Sequence, residues 1–294
     1  MKKIIFKGCG TAIITPFENN KIYYDELEKL IEFQIMEEVD AIIICGTTGE
    51  SATISKEEKK ELIKFTVDTV AHRIPVIAGT GSNNTKDAIE LSKYAESVGV
   101  DGLLIVTPYY NKTTQEGLIK HYKAIAESVN LPIIVYNVPS RTGLNIEPKT
   151  CLNLSKIENI VAIKEASGNI AQVAEIKALC GKNLNIYSGN DNQIIPILAL
   201  GGIGVISVLS NILPRETHEM VQLYLNGNIK KAKEKQLKAI PLINALFAEV
   251  NPIPIKEALN MIGFNVGIPR LPLVEATEKT KEKLAVEMQK YELI

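Results

Sequence analysis

The segment IVAIKEASG, residues 160–168, places a lysine directly after an almost wholly apolar run. An ammonium group normally keeps its water, and burial favours the neutral amine. Lys164 at the end of a buried strand is therefore a candidate nucleophile, because a neutral amine attacks carbonyl carbons and forms a Schiff base. This segment alone leaves two other roles open for Lys164: its side chain can extend to solvent or pair with Glu165.

Further polar side chains follow other apolar runs of the chain. They stand in GTTGES (46–51), TPYYN (107–111), YNVPSRTG (136–143) and SGND (188–191), and the last run carries Ile206 and Ser207. Hydroxyls, a guanidinium and a buried amine that converge are typical of a site for a small molecule. Arg141 suits a carboxylate, which a guanidinium holds through two parallel hydrogen bonds, although a surface ion pair is the alternative.

Several of these residues also have a purely structural interpretation. Thr47 and Thr48 can supply hydrogen bonds to turns and helix caps. Tyr109 and Tyr110 can be packing or interface aromatics, and Tyr136 can be a core residue with a satisfied hydroxyl. Only their convergence in the fold distinguishes the two interpretations.

Eight short apolar runs can form the strands that position these side chains. The runs are 10–15, 41–45, 75–79, 102–106, 132–137, 160–165, 184–189 and 203–208. Continuous apolar runs are typical of parallel strands that are covered on both faces. Helical patterns lie between them, so the sequence predicts an α/β protein with a (β/α)₈ TIM barrel, whose reactive groups lie at the carboxyl ends of the strands.

Helix starts support this prediction. Ser55 with Glu58, and Thr113 with Glu116, have the spacing of a capping box, and Pro214 suits a first helical position. A doubly wound sheet is the alternative fold. It would normally carry a glycine-rich phosphate-binding motif, and neither GxGxxG nor GxxxxGK[ST] occurs in the sequence.

The strand patterns stop after about residue 225, and the remaining patterns are helical. We therefore predict a TIM-barrel catalytic domain over residues 1–225 and a C-terminal helical domain over residues 226–294. Pro241 is expected to kink the first helix of this second domain, and Gly263 to end the second. Lys256, in PIPIKEAL, is expected to point outward from its helix.

Composition excludes several classes of function. The 294 residues carry a net charge of −1, which argues against a nucleic-acid-binding protein. The four cysteines lack CxxC spacing and no two histidines stand at metal spacing, so neither a metal nor another cofactor is expected. No apolar run approaches a membrane span and the N-terminus lacks a signal-peptide core, so we expect a cytoplasmic protein with no membrane partner.

GTTGES, TPYY, YNVPSRTG and IKEASG occur together, in order and at predicted strand ends. With them, essentially the whole chain resembles the pyruvate-dependent class I aldolases of the dihydrodipicolinate synthase and N-acetylneuraminate lyase superfamily. It is more similar to the synthase branch. Arg141 matches the arginine that holds the aldehyde substrate's carboxylate, which sialic-acid lyases lack, and Thr47 stands where those lyases typically have serine.

The resemblance implies an activity and roles for single residues. The activity is the condensation of pyruvate with L-aspartate 4-semialdehyde to 4-hydroxy-tetrahydrodipicolinate, in the biosynthesis of diaminopimelate and lysine. Lys164 would form the Schiff base and Tyr136 would transfer protons, with Thr47 and Tyr110 completing a hydroxyl relay. The implied substrate-binding residues are Thr48, Arg141, Gly189 and Ile206.

The resemblance also implies an assembly and a regulatory site. Tyr110 would reach the neighbouring subunit's site in a dimer, and two dimers would form a homotetramer. The residues that match the lysine-inhibition site of the synthases are Ser51, Ala52, Asn83 and Tyr109. Lys56 and Lys59 stand where sensitive enzymes typically have histidine, and Asp87 where they have glutamate, so weak or absent inhibition by lysine is expected.

Two rival functions remain open. Another pyruvate-dependent aldolase, such as N-acetylneuraminate lyase, would share Lys164 and Tyr136 but has no evident use for Arg141. A non-catalytic barrel that only binds a keto acid or a partner would need no reactive amine. A panel of aldehydes and a test for a covalent adduct with pyruvate distinguish these functions.

Overall fold

Ten strands form a closed barrel and a small hairpin in the computed structural model, which describes residues 2–294. The strands are β1 (Gly8–Ala12), β2 (Phe17–Glu18), β3 (Lys21–Ile22), β4 (Ala41–Ile44), β5 (Val76–Gly79), β6 (Gly102–Val106), β7 (Ile133–Asn137), β8 (Ile160–Glu165), β9 (Asn185–Ser188) and β10 (Gly204–Ser207). β2 and β3 pair only with each other, as an antiparallel hairpin. The other strands are parallel to their neighbours, and β10 closes the barrel by pairing with β1.

The barrel confirms the predicted TIM-barrel fold. The eight apolar runs of the sequence coincide with the eight barrel strands, mostly to within one residue at each end. The first run differs, because its strand begins at Gly8 and ends at Ala12. Ile13 and Ile14 continue the apolar pattern beyond the strand, and both remain buried as the chain leaves the barrel.

Twelve helices accompany the strands in the described chain. They are α1 (Tyr24–Met36), α2 (Lys56–Val70), α3 (Thr85–Ser97), α4 (Gln115–Ala126), α5 (Pro139–Thr142), α6 (Pro148–Leu154), α7 (Ile170–Cys180), α8 (Ile194–Ala199), α9 (Pro214–Leu225), α10 (Ile229–Leu246), α11 (Ile253–Met261) and α12 (Glu278–Gln289). Short 3-10 turns at Asp191–Gln193 and Leu209–Asn211 follow β9 and β10. As predicted, Pro214 is the first residue of α9.

One predicted capping box is present and the other is shifted. The Ser55 hydroxyl accepts the Glu58 backbone N–H at 3.1 Å, and the Glu58 carboxylate accepts the Ser55 N–H at 2.9 Å. The prediction at Thr113 was wrong by one residue. Thr114 caps α4 instead, and its hydroxyl accepts the Gly117 N–H at 3.1 Å, because Thr114 has the extended backbone that a cap requires.

The C-terminal helices α10, α11 and α12 bear on the predictions for Gly263 and Lys256. Pro241 lies inside α10, which continues beyond it to Leu246. Gly263 follows the end of α11 with a φ of 96°, as a residue that ends a helix does. Lys256 does not point outward: it is 1% exposed, and its Nζ lies 2.8 Å from the Glu50 carboxylate. Lys256 is buried because α11 covers the loop that carries Glu50, which is distant in sequence.

Buried side chains form two cores, one between strands and helices and one inside the barrel. The inner core includes Ala162, Tyr136 and Ile206. Because side chains alternate along a strand, Lys164 shares the inward direction of Ala162. Residues 2–294 contain no helix with the length and apolarity to cross a membrane, and no cluster of three His, Cys, Asp or Glu side chains in that range could hold a metal ion.

Candidate active site

Lys164 enters the barrel from β8 and is only 6% exposed. The next residue, Glu165, points away from the interior, where the Asn137 amide donates to its carboxylate at 3.0 Å. Neither alternative role of Lys164 therefore applies, since its amine does not reach bulk solvent and does not pair with Glu165. On β8, the Lys164 amine thus faces the inside of the barrel. The Glu165 carboxylate faces the surrounding helices, where the Asn137 amide stabilises it.

Tyr136 lies directly beside this amine. It is the register partner of Lys164 on the neighbouring strand β7, and the Lys164 Nζ lies 4.4 Å from the centre of the phenol ring. Paired positions on adjacent strands bring side chains into contact. A phenol and an amine thus occupy one face of the sheet.

The surroundings of Lys164 favour its neutral form. Burial lowers the pKa of Lys164 to about 8, the Asp191 carboxylate opposes this by raising it, and the Arg141 charge lowers it further. At pH 7 about a tenth of such an amine is neutral, far more than of an ordinary lysine. Lys164 therefore meets the electrostatic requirement for a Schiff-base lysine.

The phenol of Tyr136 is also perturbed. Burial raises the pKa of Tyr136, while the neighbouring Thr47 side chain and the Arg141 charge lower it by favouring the phenolate. The net direction is upward, so Tyr136 is protonated at neutral pH. It can donate a proton to a leaving hydroxyl, and Thr47 and Arg141 stabilise the phenolate that results.

Thr47 and Thr48 lie on a tight loop, residues 46–51, that follows β4. The Thr15 hydroxyl donates to the Gly49 carbonyl at 2.8 Å, and the Glu50 N–H donates to the Thr47 carbonyl at 3.1 Å. Gly49 is needed for close approach, since a Cβ there would lie 3.2 Å from the Ile13 carbonyl oxygen. Hydrogen bonds within the loop and from the segment that follows β1 thus hold the loop in place.

Glu50 joins this loop to the C-terminal segment. One carboxylate oxygen accepts the Lys256 ammonium at 2.8 Å, and the other accepts the Arg270 backbone N–H at 2.9 Å. Lys256 also donates to the Ile268 carbonyl at 3.2 Å. This ion pair was not predictable from the local sequence, because Glu50 is far from Lys256 in the chain.

Arg141 lies on the short helix α5, just after β7. Its Nη2 donates to the backbone carbonyl of Asn251 at 3.0 Å, while the Asn251 side-chain amide donates to the Thr48 hydroxyl at 3.1 Å. Thr47, Arg141 and Asn251 line one cavity of about 290 Å³. The two hydroxyls of loop 46–51 and the guanidinium of α5 are therefore brought together through Asn251.

Gly189 and Ile206 lie on the opposite side of Lys164 from the neighbouring strand β7. A Cβ on Gly189 would lie 3.1 Å from the Lys164 Cε, so its backbone passes against the lysine stem. Ile206 belongs to β10 and to the inner core, paired with Gly10. Gly189 thus leaves room for the lysine stem where a side chain would fill the space.

Asp191 is a second residue that the sequence analysis did not single out, although the segment SGND contains it. Its carboxylate is buried and accepts the backbone N–H groups of Val208 and Leu209 at 3.0 and 2.9 Å. It secures the segment that follows β10. Its charge also raises the pKa of Lys164, and so limits the effect of burial on the amine.

Tyr110 is not brought to Tyr136 within the chain. Its side chain is 92% exposed, and its backbone has a φ of 66°, in the left-handed region. Tyr109 is 38% exposed and lines the 290 Å³ cavity with Ser51 and Ala52. Asn83 lies nearby but outside that lining, and its carbonyl accepts the Asn111 amide at 3.0 Å.

The two lysines of the predicted regulatory region have different environments. Lys56 forms ion pairs with Asp87, at 3.4 Å, and with Glu90. Lys59 lines the same cavity as Ser51, and burial lowers its pKa. The cavity therefore carries an amine from α2 in addition to the Arg141 guanidinium.

Similarity to known proteins extends over the whole chain. The Dihydrodipicolinate synthetase family model matches residues 5–291. The 4-hydroxy-tetrahydrodipicolinate synthase of Caldicellulosiruptor saccharolyticus is 62% identical over 95% of both chains, and that of Acetivibrio thermocellus is 58% identical over 100% of both. The crystal structure of dihydrodipicolinate synthase from Thermotoga maritima matches 99% of this chain and 100% of its own, with a TM-score of 0.97 and 44% identity.

Proposed function

The chain belongs to the dihydrodipicolinate synthetase family, and we infer from this premise that it condenses pyruvate with L-aspartate 4-semialdehyde through a lysine Schiff base. The product is 4-hydroxy-tetrahydrodipicolinate, a precursor of diaminopimelate and lysine. The observation that carries the inference is the buried Lys164 amine beside the Tyr136 phenol. A sialic-acid lyase activity is not favoured, because curated relatives over the whole chain are synthases and Arg141 lines the cavity.

The first chemical step is formation of the Schiff base. The neutral amine of Lys164 attacks the keto carbon of pyruvate to give a carbinolamine. Tyr136 donates a proton to the carbinolamine hydroxyl, which leaves as water, and the iminium remains. Thr47 and Arg141 stabilise the phenolate for as long as it exists, as the lowering of the Tyr136 pKa by both indicates.

The second step forms the carbon–carbon bond. The iminium withdraws electrons, so the pyruvate methyl group loses a proton to a base such as the Tyr136 phenolate and becomes an enamine. The enamine carbon attacks the aldehyde carbon of the second substrate, and the resulting alkoxide takes up a proton. The ammonium group of that substrate then loses a proton, and the free amine attacks the iminium carbon and closes the ring. The bond from that carbon to the Lys164 nitrogen breaks, and the lysine leaves as its amine.

Two separate groups hold the two substrate carboxylates. Thr48 and the backbone N–H groups of its loop are suited to the pyruvate carboxylate, and Arg141 to that of the aldehyde substrate. The backbones of Gly189 and Ile206 border the pyruvate adduct. This division is supported by three observations: Arg141 lines the 290 Å³ cavity, Thr48 is linked through Asn251 to the same cavity, and Gly189 passes against the Lys164 stem.

We further propose that the active unit is a dimer, and that two dimers form a homotetramer. Tyr110 supports this assignment, because a side chain that is 92% exposed is free to enter the site of a neighbouring subunit. There it would complete the relay of Tyr136 and Thr47. Proton sharing along such a chain compensates for the weak basicity of tyrosine at neutral pH.

Regulation by lysine is proposed to be weak or absent. Ser51, Ala52, Asn83 and Tyr109 would form the regulatory site, and Lys59 adds a positive charge to the cavity that three of them line. Like charges repel strongly in a partly buried site, so an incoming lysine ammonium is disfavoured.

Two other assignments are proposals of the same kind. A boundary between residues 225 and 226 is supported by the end of α9 at Leu225 and the start of the C-terminal helices with α10 at Ile229. The second proposal is that the protein acts in the cytoplasm, because its proposed substrates are small metabolites.

Borohydride trapping with pyruvate tests the proposed function. Reduction should attach one pyruvate irreversibly to each chain, and peptide mass mapping should find it on Lys164. Lys164→Ala should abolish trapping, whereas Lys182→Ala, at an exposed lysine, should leave it unchanged. Adduct on another lysine would contradict the site, and preference for a sugar aldehyde over aspartate semialdehyde would contradict the activity.

A further inference from the structure

Asn251 contacts both of the residues proposed to bind substrate carboxylates. Its side-chain Nδ2 donates to the Thr48 hydroxyl at 3.1 Å, and its backbone carbonyl accepts the Arg141 guanidinium at 3.0 Å. Asn251 itself lies just before α11 and is only 6% exposed. A residue from the C-terminal part of the chain therefore lies between two groups supplied by barrel loops.

The remaining polar atom of this side chain has no partner. The Oδ1 of Asn251 is buried and accepts no hydrogen bond in residues 2–294. Of the buried side-chain atoms in that range that lack a partner, it is the one whose residue lines the 290 Å³ cavity. A buried acceptor without a donor is destabilising, so an unpaired oxygen on the cavity that Arg141 and Thr47 also line indicates a donor that arrives with a ligand of Arg141.

The two substrates differ in what they can donate. Pyruvate has a keto oxygen and a carboxylate, which both accept hydrogen bonds. L-Aspartate 4-semialdehyde carries a protonated amino group, with three N–H donors, on the carbon next to its carboxylate. If Arg141 holds that carboxylate, the amino group lies one carbon away, close to the residue whose carbonyl the guanidinium contacts.

We propose that Asn251 is a specificity-determining residue whose Oδ1 accepts a hydrogen bond from the amino group of the aldehyde substrate. The proposal rests on the proposed function, because it assumes that Arg141 binds the carboxylate of this substrate. A hydrogen bond with one charged partner is among the stronger ones, and its loss leaves a buried group unpaired. The contact selects aldehydes with an amino group and orients that group before it closes the ring.

The test compares the natural substrate with an analogue in which hydrogen replaces the amino group. We would measure the KM of aspartate semialdehyde, and the inhibition constant of the analogue against it, for the wild type, Asn251→Ala and Asn251→Asp. Asn251→Ala should raise the KM about 10- to 100-fold and change the inhibition constant less than about twofold. Asn251→Asp keeps an acceptor at this position. The ratio of the inhibition constant of the analogue to the KM of the natural substrate should therefore be at least tenfold higher for Asn251→Asp than for Asn251→Ala.

The analogue separates recognition of the amino group from simple positioning. If Asn251 only held Thr48 and Arg141 in place, Asn251→Ala would weaken the analogue and the natural substrate equally, which would overturn the proposal. Unchanged constants for both would overturn it as well. Asn244→Ala, at an exposed asparagine of α10, is the control and should change neither constant.

Failure of this inference is distinguishable from failure of the proposed function. Borohydride trapping of pyruvate at Lys164 does not involve the aldehyde, so it should persist in Asn251→Ala. Absence of trapping in the wild type would reject the function itself. Trapping together with equal weakening of the analogue and the substrate would reject only the role of Asn251.

Discussion

Lys164 and Tyr136 occupy directly paired positions on the neighbouring strands β8 and β7, with the amine 4.4 Å from the centre of the phenol ring. The pairing follows from the strand register and does not depend on a mobile loop. Any shift of one residue between the strands would turn one of the two side chains out of the barrel. The proposed nucleophile and the proposed proton donor are thus positioned by the hydrogen-bonded strands of the barrel.

Tyr136→Phe should therefore separate chemistry from folding. The substitution keeps the buried ring and removes only the hydroxyl, so kcat should fall about 10²- to 10⁴-fold, the range typical of a lost general acid–base group. The melting temperature should change little. Steady-state kinetics and thermal unfolding measure the two effects, and a variant with nearly full kcat would exclude Tyr136 from proton transfer.

The rate of Schiff-base formation should depend on pH through Lys164. Burial lowers its pKa from 10.5 to about 8, and only the neutral amine attacks pyruvate. The rate should therefore rise with pH up to about 8 and level off above it. Borohydride trapping rates at saturating pyruvate measure this profile, and a rise that continues toward pH 10.5 would show an unperturbed lysine.

The same shift makes a contribution to folding stability. The unfolded chain binds a proton at Lys164 up to its ordinary pKa of 10.5, whereas the folded chain releases it near 8. Between these pH values the unfolded state therefore binds more protons at Lys164 than the folded state does. As pH rises from about 8 to 10.5, the contribution of Lys164 to the free energy of unfolding increases. Lys164→Met should remove this contribution, which urea unfolding at pH 8 and pH 10 would detect.

The barrel was predictable from sequence because its signal is local. Continuous apolar runs specify parallel strands, and the residue after each run marks the reactive end. Lys164 and Tyr136 were accessible in this way. Lys256 was not, because its partner Glu50 is 206 positions earlier in the chain and nothing near Lys256 predicts that its helix covers the loop after β4. Asn251 was missed for the same reason.

The Lys256–Glu50 ion pair gives a prediction about stability. Both side chains are almost completely buried, so removal of one leaves an uncompensated charge. Lys256→Met should lower the free energy of unfolding by about 3–5 kcal/mol, and the double variant Glu50→Gln with Lys256→Met should recover part of the loss. Chemical denaturation measures both. Lys233→Met, at an exposed lysine of α10, should have almost no effect.

Tyr110 is predicted to act in the site of a neighbouring subunit, and hybrid oligomers test this. Tyr110→Phe should leave stability unchanged, because the side chain is 92% exposed, but should reduce kcat. Mixed with Lys164→Ala and reassembled, it should recover activity, since an intact Lys164 then meets an intact Tyr110 from the partner. Random dimers would yield about a quarter of wild-type activity. No recovery on mixing would place Tyr110 in its own chain's site or outside catalysis.

Lysine should inhibit this enzyme weakly or not at all, because Lys59 brings a positive charge into the cavity lined by Ser51, Ala52 and Tyr109. Lys59→Ala should remove that repulsion and make inhibition measurable, whereas Lys60→Ala, on the same helix but outside the lining, should not. Initial rates at increasing lysine concentration measure the effect at fixed substrate. Saturable inhibition of the wild type at submillimolar lysine would show that the Lys59 charge does not oppose binding, and that the cavity accepts a cation despite it.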